Sequence, residues 1–287
     1  MKIAFLILAH KNPAQLQRLI TALEHPAFHF YIHLDKKVDE KPFLTLLDKS
    51  NVFFIKNRVD VRWAAYSLVQ AQLNGMEGIA AAQEYDYITV VSGQDFPIKS
   101  TEYIYRFFCE NKGTEFISCV DEKMDPEWWD TAKRRVAKYH LEHWSIPGKY
   151  RIQNFINSIT PLRKYPLPHI IVGRSQWFSI SGDAARYMVS FIKQHPQVVR
   201  FFKYVWGADE FIFSTVLYNS FFKNRIKTDL FYIDWSENKP NPKLLVKKDF
   251  EALYHSDKLF ARKFDMDVDA EIITMLEELI TANKNIA

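Results

Sequence analysis

The chain has 287 residues, of which 48% are hydrophobic and 15% aromatic, so it can bury a sizeable core and is too apolar to be intrinsically disordered. Its net charge of +4 fits an anionic small substrate and is too weak to indicate a nucleic-acid partner. Its two cysteines, Cys109 and Cys119, show no metal-binding spacing, and we interpret them as buried thiols of a protein from a reducing compartment.

The first predicted element is a strand in KIAFLILAH, because a continuous apolar run is typical of a strand buried on both faces. A helix is predicted next, with Asn12 as its N-cap and Pro13 at its first position. The following predicted elements are the strands FHFYIHLD and NVFFI, the helix YSLVQAQLNGMEGIAAAQE and the strand YDYITVVSG. This alternation predicts an α/β fold with a mainly parallel sheet.

The second half of the chain is less regular. The segments with helical patterns are PEWWDTAKRRVAKYHLEHW, GDAARYMVSFIKQH, ADEFIFSTVLYNS and DAEIITMLEELITANK. RSQWFSIS is predicted to be a strand, and DLFYIDWS is followed by short helices. Because no internal repeat and no Gly/Ser-rich linker interrupts the sequence, we predict one domain over residues 1–287.

Polar residues follow several of the predicted strands. These clusters are His10-Lys11, Asp35-Lys36-Lys37, Ser92-Gly93-Gln94-Asp95 and Asp234-Trp235. Ligands of open α/β sheets bind beyond the carboxyl ends of the strands, so the four clusters are candidates for one binding site. The alternative is that each cluster is only the polar turn at the exit of a strand.

The common nucleotide, zinc and hydrolase motifs are missing. The sequence contains no GxGxxG, GxxxxGK[ST], HExxH or GxSxG motif. A bound phosphate would therefore have to be held by side chains, for which Arg262 and Lys263 are the natural candidates. The alternative interpretation of this pair is two solvated charges near the start of a helix.

Two acidic motifs also allow two interpretations each. The aspartates of DMDVD, residues 265–269, form a metal site only if their carboxylates converge, and we favour Asp267 or Asp269 as the cap of the last helix. Asp209 and Glu210 stand at a predicted helix start, where acidic residues suit the helix dipole. Either carboxylate could instead be a general base that faces a cleft.

Seven segments together resemble one family. In chain order they are AFLILAHKNPAQLQRLITAL, FYIHLDKK, VRWAAYSLVQAQLN, ITVVSGQDFPIKS, GRSQWFSIS, GADEFIFSTVLYNS and KLFARKFD. This order resembles the Branch family of core-2/I-branching β-1,6-N-acetylglucosaminyltransferases and peptide O-xylosyltransferases, over residues 1 to about 270. The resemblance implies an inverting, metal-independent enzyme with a GT-A-like, Rossmann-type fold that uses a UDP-sugar.

The resemblance also implies roles for particular residues. Glu210 is expected to be the catalytic base, and Arg262 and Lys263 the diphosphate clamp, with Lys243 as a further candidate. The expected nucleoside pocket and donor contacts are Ala9, His10, Asp35, Lys36, Trp63 and Asp95. The expected substrate contacts are Gln94, Trp177, Asp209 and Trp235. Residues 1–120 would form the nucleotide-binding half, and residues 121–287 the acceptor-binding and catalytic half.

The implied reaction moves a sugar, with N-acetylglucosamine as first candidate, from a UDP-sugar to a hydroxyl of a glycan or glycolipid acceptor without a metal or other cofactor. Xylose or another sugar is the alternative donor group, and a non-catalytic nucleotide- or glycan-binding protein is the alternative of another class. The membrane anchor and disulfides of eukaryotic members have no counterpart in this sequence. We therefore expect a bacterial member that is cytoplasmic, with peripheral contact at the cytoplasmic face of the membrane left open and no oligomeric state predicted.

Overall fold

The computed structural model describes residues 1–284, without the side chains of residues 47, 283 and 284. The ten strands are β1 (Ile3–Ala9), β2 (Phe28–Leu34), β3 (Val52–Phe54), β4 (Tyr87–Ser92), β5 (Asp95–Pro97), β6 (Glu115–Val120), β7 (Gly173–Ser181), β8 (Ile226–Lys227), β9 (Phe231–Ile233) and β10 (Phe260–Arg262). The ten α-helices of this part of the chain are α1 (Pro13–Ala22), α2 (Tyr66–Ala82), α3 (Thr101–Glu110), α4 (Pro126–Ala137), α5 (Lys149–Ile159), α6 (Gly182–Gln194), α7 (Pro196–Phe202), α8 (Ile212–Tyr218), α9 (Phe250–Tyr254) and α10 (Glu271–Lys284). Short 3-10 helices occupy Lys41–Asp48, Ala208–Glu210, Lys223–Arg225 and Lys247–Asp249.

A seven-stranded sheet in the order β3-β2-β1-β4-β7-β6-β8 forms the centre of the molecule. The strands β3, β2, β1 and β4 are parallel, and β7 is antiparallel to both of its neighbours. Every residue of β1 and β4 is buried, as expected for strands with both faces covered. The predicted α/β fold with a mainly parallel sheet is confirmed, and the order β3-β2-β1-β4 is that of the first half of a Rossmann-type sheet.

A second, three-stranded sheet has the order β5-β10-β9. It packs on the large sheet through aromatic pairs: the ring centroids of Phe5 and Phe260 are 6.0 Å apart, as are those of Trp177 and Phe231. Both sheets combine strands from the two predicted halves, because β4 pairs with β7 and β5 pairs with β10. The functional division at residue 120 stays a prediction, and the last part of the predicted domain, residues 285–287, lies outside the described residues.

Local sequence signals explain the helix starts. The side chain of Asn12 accepts from the backbone N–H of Gln15, and Pro13 is the first helical residue, so the predicted start of α1 is confirmed. Ser100, Asp125 and Ser181 cap α3, α4 and α6 in the same way. Such caps satisfy backbone donors that the first helical turn leaves free.

Some sequence-based expectations are wrong. The predicted helix from Pro126 to Trp144 ends at Ala137, because Lys138 is extended and the next residues bond to side chains of α5. The predicted helix at Ala208 starts as a 3-10 turn, and regular α-helix begins only at Ile212. Cys119 is buried as expected, whereas Cys109 is exposed; both thiols are free.

Candidate active site

A cavity of about 320 Å³ lies beyond the carboxyl ends of β1 and β4. It is lined by His10, Lys11, Gln94, Asn241, Pro242, Leu244, Lys263 and Asp265. Residues of two of the four predicted polar clusters, His10-Lys11 and Gln94, therefore line the same cavity as Lys263. This is the position at which open α/β sheets bind their ligands.

Gln15, which is fully buried in α1, holds the walls of this cavity together. Its side-chain amide donates to the carbonyls of Gly93 at 3.1 Å and Phe264 at 3.2 Å, and its side-chain oxygen accepts from the N–H of Met266 at 2.9 Å. The loop after β4 and the segment after β10 are thus joined through one side chain. Sequence analysis missed Gln15; the available signal was a glutamine within the apolar face of a helix.

Arg262, Asp95 and Trp177 form a group that we call the Arg262 cluster. The β10–β5 pairing places Arg262 opposite Asp95, and the guanidinium carbon lies 4.1 Å from the centroid of the Trp177 ring. Arg262 Nε is 3.4 Å from Asp95 Oδ1 and makes no hydrogen bond within the described part of the chain, so this contact is one of charge. Asp95 is fully buried and accepts from the N–H and the hydroxyl of Ser92 at 2.7 and 2.6 Å.

The ionisable groups at this cavity are crowded with positive charge. Burial, followed by the charges of Arg262 and Lys11, lowers the pKa of Lys263. Burial and the charges of Lys263 and Lys11 likewise lower the pKa of His10. Cations that depress one another's pKa would each be stabilised by an anion between them. The cavity is therefore suited to a phosphate group.

Glu210, Arg135 and Trp206 form a second group, the Arg135 cluster. Arg135 Nη2 donates to Glu210 Oε2 at 2.8 Å, and the guanidinium carbon lies 4.6 Å from the centroid of the Trp206 ring. Phe211 lies on another side of the guanidinium at 4.8 Å. The Glu210 side chain keeps 29% of its surface exposed, so solvent or a substrate can reach it.

Gly207 makes the close approach of Arg135 possible. It has a positive φ of 65°, and a Cβ atom there would lie 2.4 Å from Arg135 Nη2. Any other residue would combine a strained backbone with a clash against the guanidinium. The 3-10 turn that carries Glu210 therefore depends on a glycine directly before it.

Asp209 links the two clusters. It is buried, and its Oδ1 atom has no hydrogen-bond partner among the described residues. Burial and the neighbouring charge of Glu210 raise the pKa of Asp209, while Arg135 and Arg262 oppose the shift. Burial also raises the pKa of Glu210, and Arg135 opposes it. Asp209 therefore lies within the electrostatic range of both arginines.

The residues expected in the nucleoside pocket lie at two places. The carbonyl of Ala9 accepts from the N–H of Asp35 at 2.9 Å, and the charge of Asp35 acts on His10, so these three residues are close together. Lys36 is exposed beside them. Trp63 is 60% exposed and lies edge-on to Trp206 at 5.0 Å, next to the Arg135 cluster.

Lys243 and Trp235 lie on the segment after β9. The Lys243 ammonium is 2.6 Å from an Asp249 oxygen and 3.3 Å from an Asp234 oxygen, so two carboxylates already neutralise it. Trp235 follows Asp234 and is half exposed. Lys243 is not among the residues that line the cavity, and its role at a diphosphate stays a prediction.

The three aspartates of DMDVD have separate partners. Asp269 accepts from the N–H groups of Glu271 and Ile272 at the start of α10, which confirms its predicted capping role. Asp267 does not cap the helix and accepts from the Asn12 side chain, whereas Asp265 pairs with Lys11. Within residues 1–284, no group of three or more His, Cys, Asp or Glu residues could hold a metal ion.

Arg135 is the functional candidate that sequence analysis missed. It belongs to the KRR run of α4, which looks like a solvated basic face. The available signal was helical spacing: Trp128 precedes Arg135 by two turns, and the guanidinium lies 5.9 Å from its ring. The partner, Glu210, is distant in sequence and could not be found from spacing.

No helix in the described part of the chain has both the length and the apolar character that crossing a bilayer requires.

The family model for Core-2/I-Branching enzymes matches residues 3–254. A solved structure of the galactosyltransferase LgtC with donor and acceptor sugar analogs aligns with a TM-score of 0.47 at 11% identity, covering 97% of this chain and 95% of that one.

Curated relatives align along most of this chain. The bovine (Bos taurus) β-1,3-galactosyl-O-glycosyl-glycoprotein β-1,6-N-acetylglucosaminyltransferase is 27% identical, over 96% of this chain and 69% of that protein. Human (Homo sapiens) xylosyltransferase 2 is 24% identical over 96% of this chain, which spans only 33% of that protein. The family match covers far more than half of the sequence, and the chain therefore belongs to the Core-2/I-Branching family of glycosyltransferases.

Proposed function

We propose that this protein is an inverting glycosyltransferase that moves a sugar from a UDP-sugar to a hydroxyl group of a glycan acceptor and forms a β-linkage. N-acetylglucosamine is the proposed sugar, because the bovine relative is named for transferring it. Xylose is the second candidate, because a human relative is named a xylosyltransferase. A cytoplasmic location and a role in the synthesis of bacterial surface polysaccharide or lipooligosaccharide belong to the same proposal, and the support for them is the sequence-based expectation alone.

One observation carries the proposal: a reachable carboxylate, Glu210, and the arginine beside a cationic cavity, Arg262, both act electrostatically on Asp209. Glu210 has a raised pKa and is partly exposed. Arg262 directly precedes Lys263, which lines the cavity beyond the strand ends. Sugar transfer needs a base for the acceptor and positive charge for the leaving group, and this arrangement provides both.

Glu210 would act as the base. Arg135 holds Oε2, which leaves Oε1 to accept the proton of the acceptor hydroxyl. The acceptor oxygen then bonds to the anomeric carbon of the sugar while the bond from that carbon to the diphosphate breaks. The bonding electrons leave with UDP, and one displacement from the opposite face inverts the configuration. A base of this kind typically contributes about 10²–10⁴-fold to the rate.

Arg262 and Lys263 would stabilise the negative charge that develops on the departing UDP. The Arg262 guanidinium is fixed by Trp177 and Asp95, so it need not reorganise during the reaction. Lys263 lines the cavity itself. We propose that these side chains take the part that a divalent metal plays in many other transferases, so that activity does not require one.

The test is UDP release from a panel of UDP-sugars, with and without EDTA, for the wild type, Glu210→Gln and the control Glu277→Gln. Glu277 also pairs with an arginine, Arg18, but lies in α10. We expect one UDP-sugar to be hydrolysed selectively and in the presence of EDTA, with about 10²–10⁴-fold loss in Glu210→Gln alone. A strict metal requirement would refute the cationic clamp, and UDP binding without turnover, even with glycan acceptors, would favour a non-catalytic binding protein.

A further inference from the structure

The polarity of helix α5 is inverted relative to a normal surface helix. Two polar side chains face the protein: Asn157 exchanges two hydrogen bonds with the backbone of Tyr139, and Gln153 accepts from the N–H of Leu141. No residue of α5 is fully buried. A helix that packs on a protein core normally turns its apolar face inward, so the outward face of α5 needs a different explanation.

One exposed face of α5 is apolar. Ile152, Phe155 and Ile159 are all exposed and have the spacing of one helix face, with Phe155 64% and Ile159 66% exposed. Leu162, directly after the helix, is 67% exposed. The α5 surface, as we define it, consists of Ile146, Ile152, Phe155, Ile159 and Leu162. Several exposed large apolar side chains on one short segment usually mark a site of interaction.

Unpaired positive charges belong to the same segment. Lys138, Arg151 and Lys164 are exposed and make no salt bridge with any described residue. Glu142 is the one acidic residue between residues 138 and 164, and Lys149 neutralises it at 3.0 Å. The surroundings of the α5 surface are therefore basic, whereas the net charge of the whole chain is only +4.

We propose that α5 is a membrane-docking helix that inserts its apolar side chains at the surface of an anionic bilayer. Protruding Phe, Ile and Leu side chains with Lys and Arg beside them are the features of a helix that lies in the membrane interface. The basic side chains add attraction to anionic headgroups. A second copy of this chain fits less well, because two such surfaces would bring their unpaired positive charges together.

Docking through α5 would also bring the candidate active site close to the bilayer. The loop between α4 and α5 contacts the site, since Arg62 donates to the carbonyl of His143 at 3.0 Å. Arg62 directly precedes Trp63, which packs on the Arg135 cluster. An acceptor attached to a lipid would therefore meet this side of the site, although the binding of α5 to a membrane does not depend on the proposed chemistry.

The test is sedimentation of the full chain with vesicles of phosphatidylcholine alone or mixed with phosphatidylglycerol, without any substrate. We expect binding to the mixed vesicles that weakens with added salt. Phe155→Ser/Ile159→Ser should lower the partition coefficient at least about tenfold, since burial of apolar side chains drives insertion. Arg151→Gln/Lys164→Gln should lower it about fivefold for each charge removed.

Matched controls change the same residue types elsewhere. Phe221→Ser/Val268→Ser removes two exposed apolar side chains outside the α5 surface, and Lys227→Gln/Lys248→Gln removes two exposed charges outside residues 138–164. These four changes should leave vesicle binding unchanged. Absence of wild-type binding, or equal loss in the controls, would overturn the proposal. A dimer by light scattering that Phe155→Ser/Ile159→Ser dissociates, without vesicle binding, would assign the surface to a second copy instead.

Discussion

The Arg262 cluster and the Arg135 cluster contain the same three kinds of side chain, an arginine, a carboxylate and a tryptophan, but water reaches their carboxylates to different extents. Asp95 is completely buried and accepts two hydrogen bonds from Ser92. Glu210 is 29% exposed, and the only hydrogen bond to its side chain among the described residues is the one from Arg135. One carboxylate is thus occupied and enclosed, and the other retains a free oxygen.

This difference matches the opposite roles that we propose for the two clusters. In the Arg262 cluster the carboxylate would fix the arginine, whose positive charge would act on the diphosphate. In the Arg135 cluster the arginine would fix the carboxylate, which would act as the base. Burial accounts for the difference, because a fully enclosed carboxylate such as that of Asp95 cannot exchange protons with a substrate or contact it. The predictions below test this division from the largest expected effect to the smallest.

Arg262→Met should strongly destabilise the protein. The substitution leaves Asp95 buried without its opposite charge, which typically costs about 3–5 kcal/mol. Urea denaturation measures the loss of the free energy of unfolding. Arg135→Met is the matched control, and it should cost clearly less, since water can solvate Glu210. Equal losses in the two variants would contradict the proposed difference in burial.

Lys263→Met should weaken the binding of UDP with little change in stability. Lys263 lines the cavity and is only half-buried, and a hydrogen bond to a charged group is worth about 1.5–3 kcal/mol, which corresponds to a loss of tenfold or more in affinity. Calorimetric titration with UDP measures it. Lys243→Met is the informative comparison, because Asp234 and Asp249 already neutralise Lys243. A larger loss of affinity in Lys243→Met would indicate that Lys243, and not Lys263, makes the main contact with the phosphate.

Arg135→Gln should shift the pH dependence of activity. Burial raises the pKa of Glu210, and the positive charge of Arg135 opposes that rise. Without the charge of Arg135 the pKa of Glu210 rises further. The acidic limb of the pH profile of kcat/KM should therefore move to higher pH by about one unit. Arg135→Lys keeps the charge and should retain the wild-type limb. A limb that stays in place in Arg135→Gln would mean that Arg135 does not act through Glu210.

Local sequence signals were sufficient for much of the fold. The buried strands β1 and β4 follow from uninterrupted apolar runs, and the start of α1 follows from Asn12 and Pro13. The strand-end position of His10 and Gln94 follows from the same elements. These features depend on neighbours in sequence or on a rule that holds for every parallel sheet, and they could therefore be predicted.

The remaining features depend on partners that are distant in sequence. Arg135 lies in a basic run that resembles a solvated face, and only the folded chain brings Glu210 to it. The helical pattern continues in sequence after Ala137. In the structure, however, backbone N–H groups of that segment donate to the side chains of Asn157 and Gln153 in α5. Tertiary hydrogen bonds override local propensity after Ala137, whereas the pairing of Arg135 with Glu210 is a tertiary contact that no local pattern encodes.

The pairing of β10 with β5 has a consequence for the synthesis of the protein. Arg262 and Asp95 are brought together from distant parts of the chain, and such long-range contacts form late because a long loop must close first. On the ribosome, β1, β2 and β4 can associate while residues 260–263 are still in the exit tunnel. A chain whose two sheets have not yet joined therefore lacks the proposed diphosphate clamp, and we expect the ability to bind UDP to appear only after β10 has paired with β5.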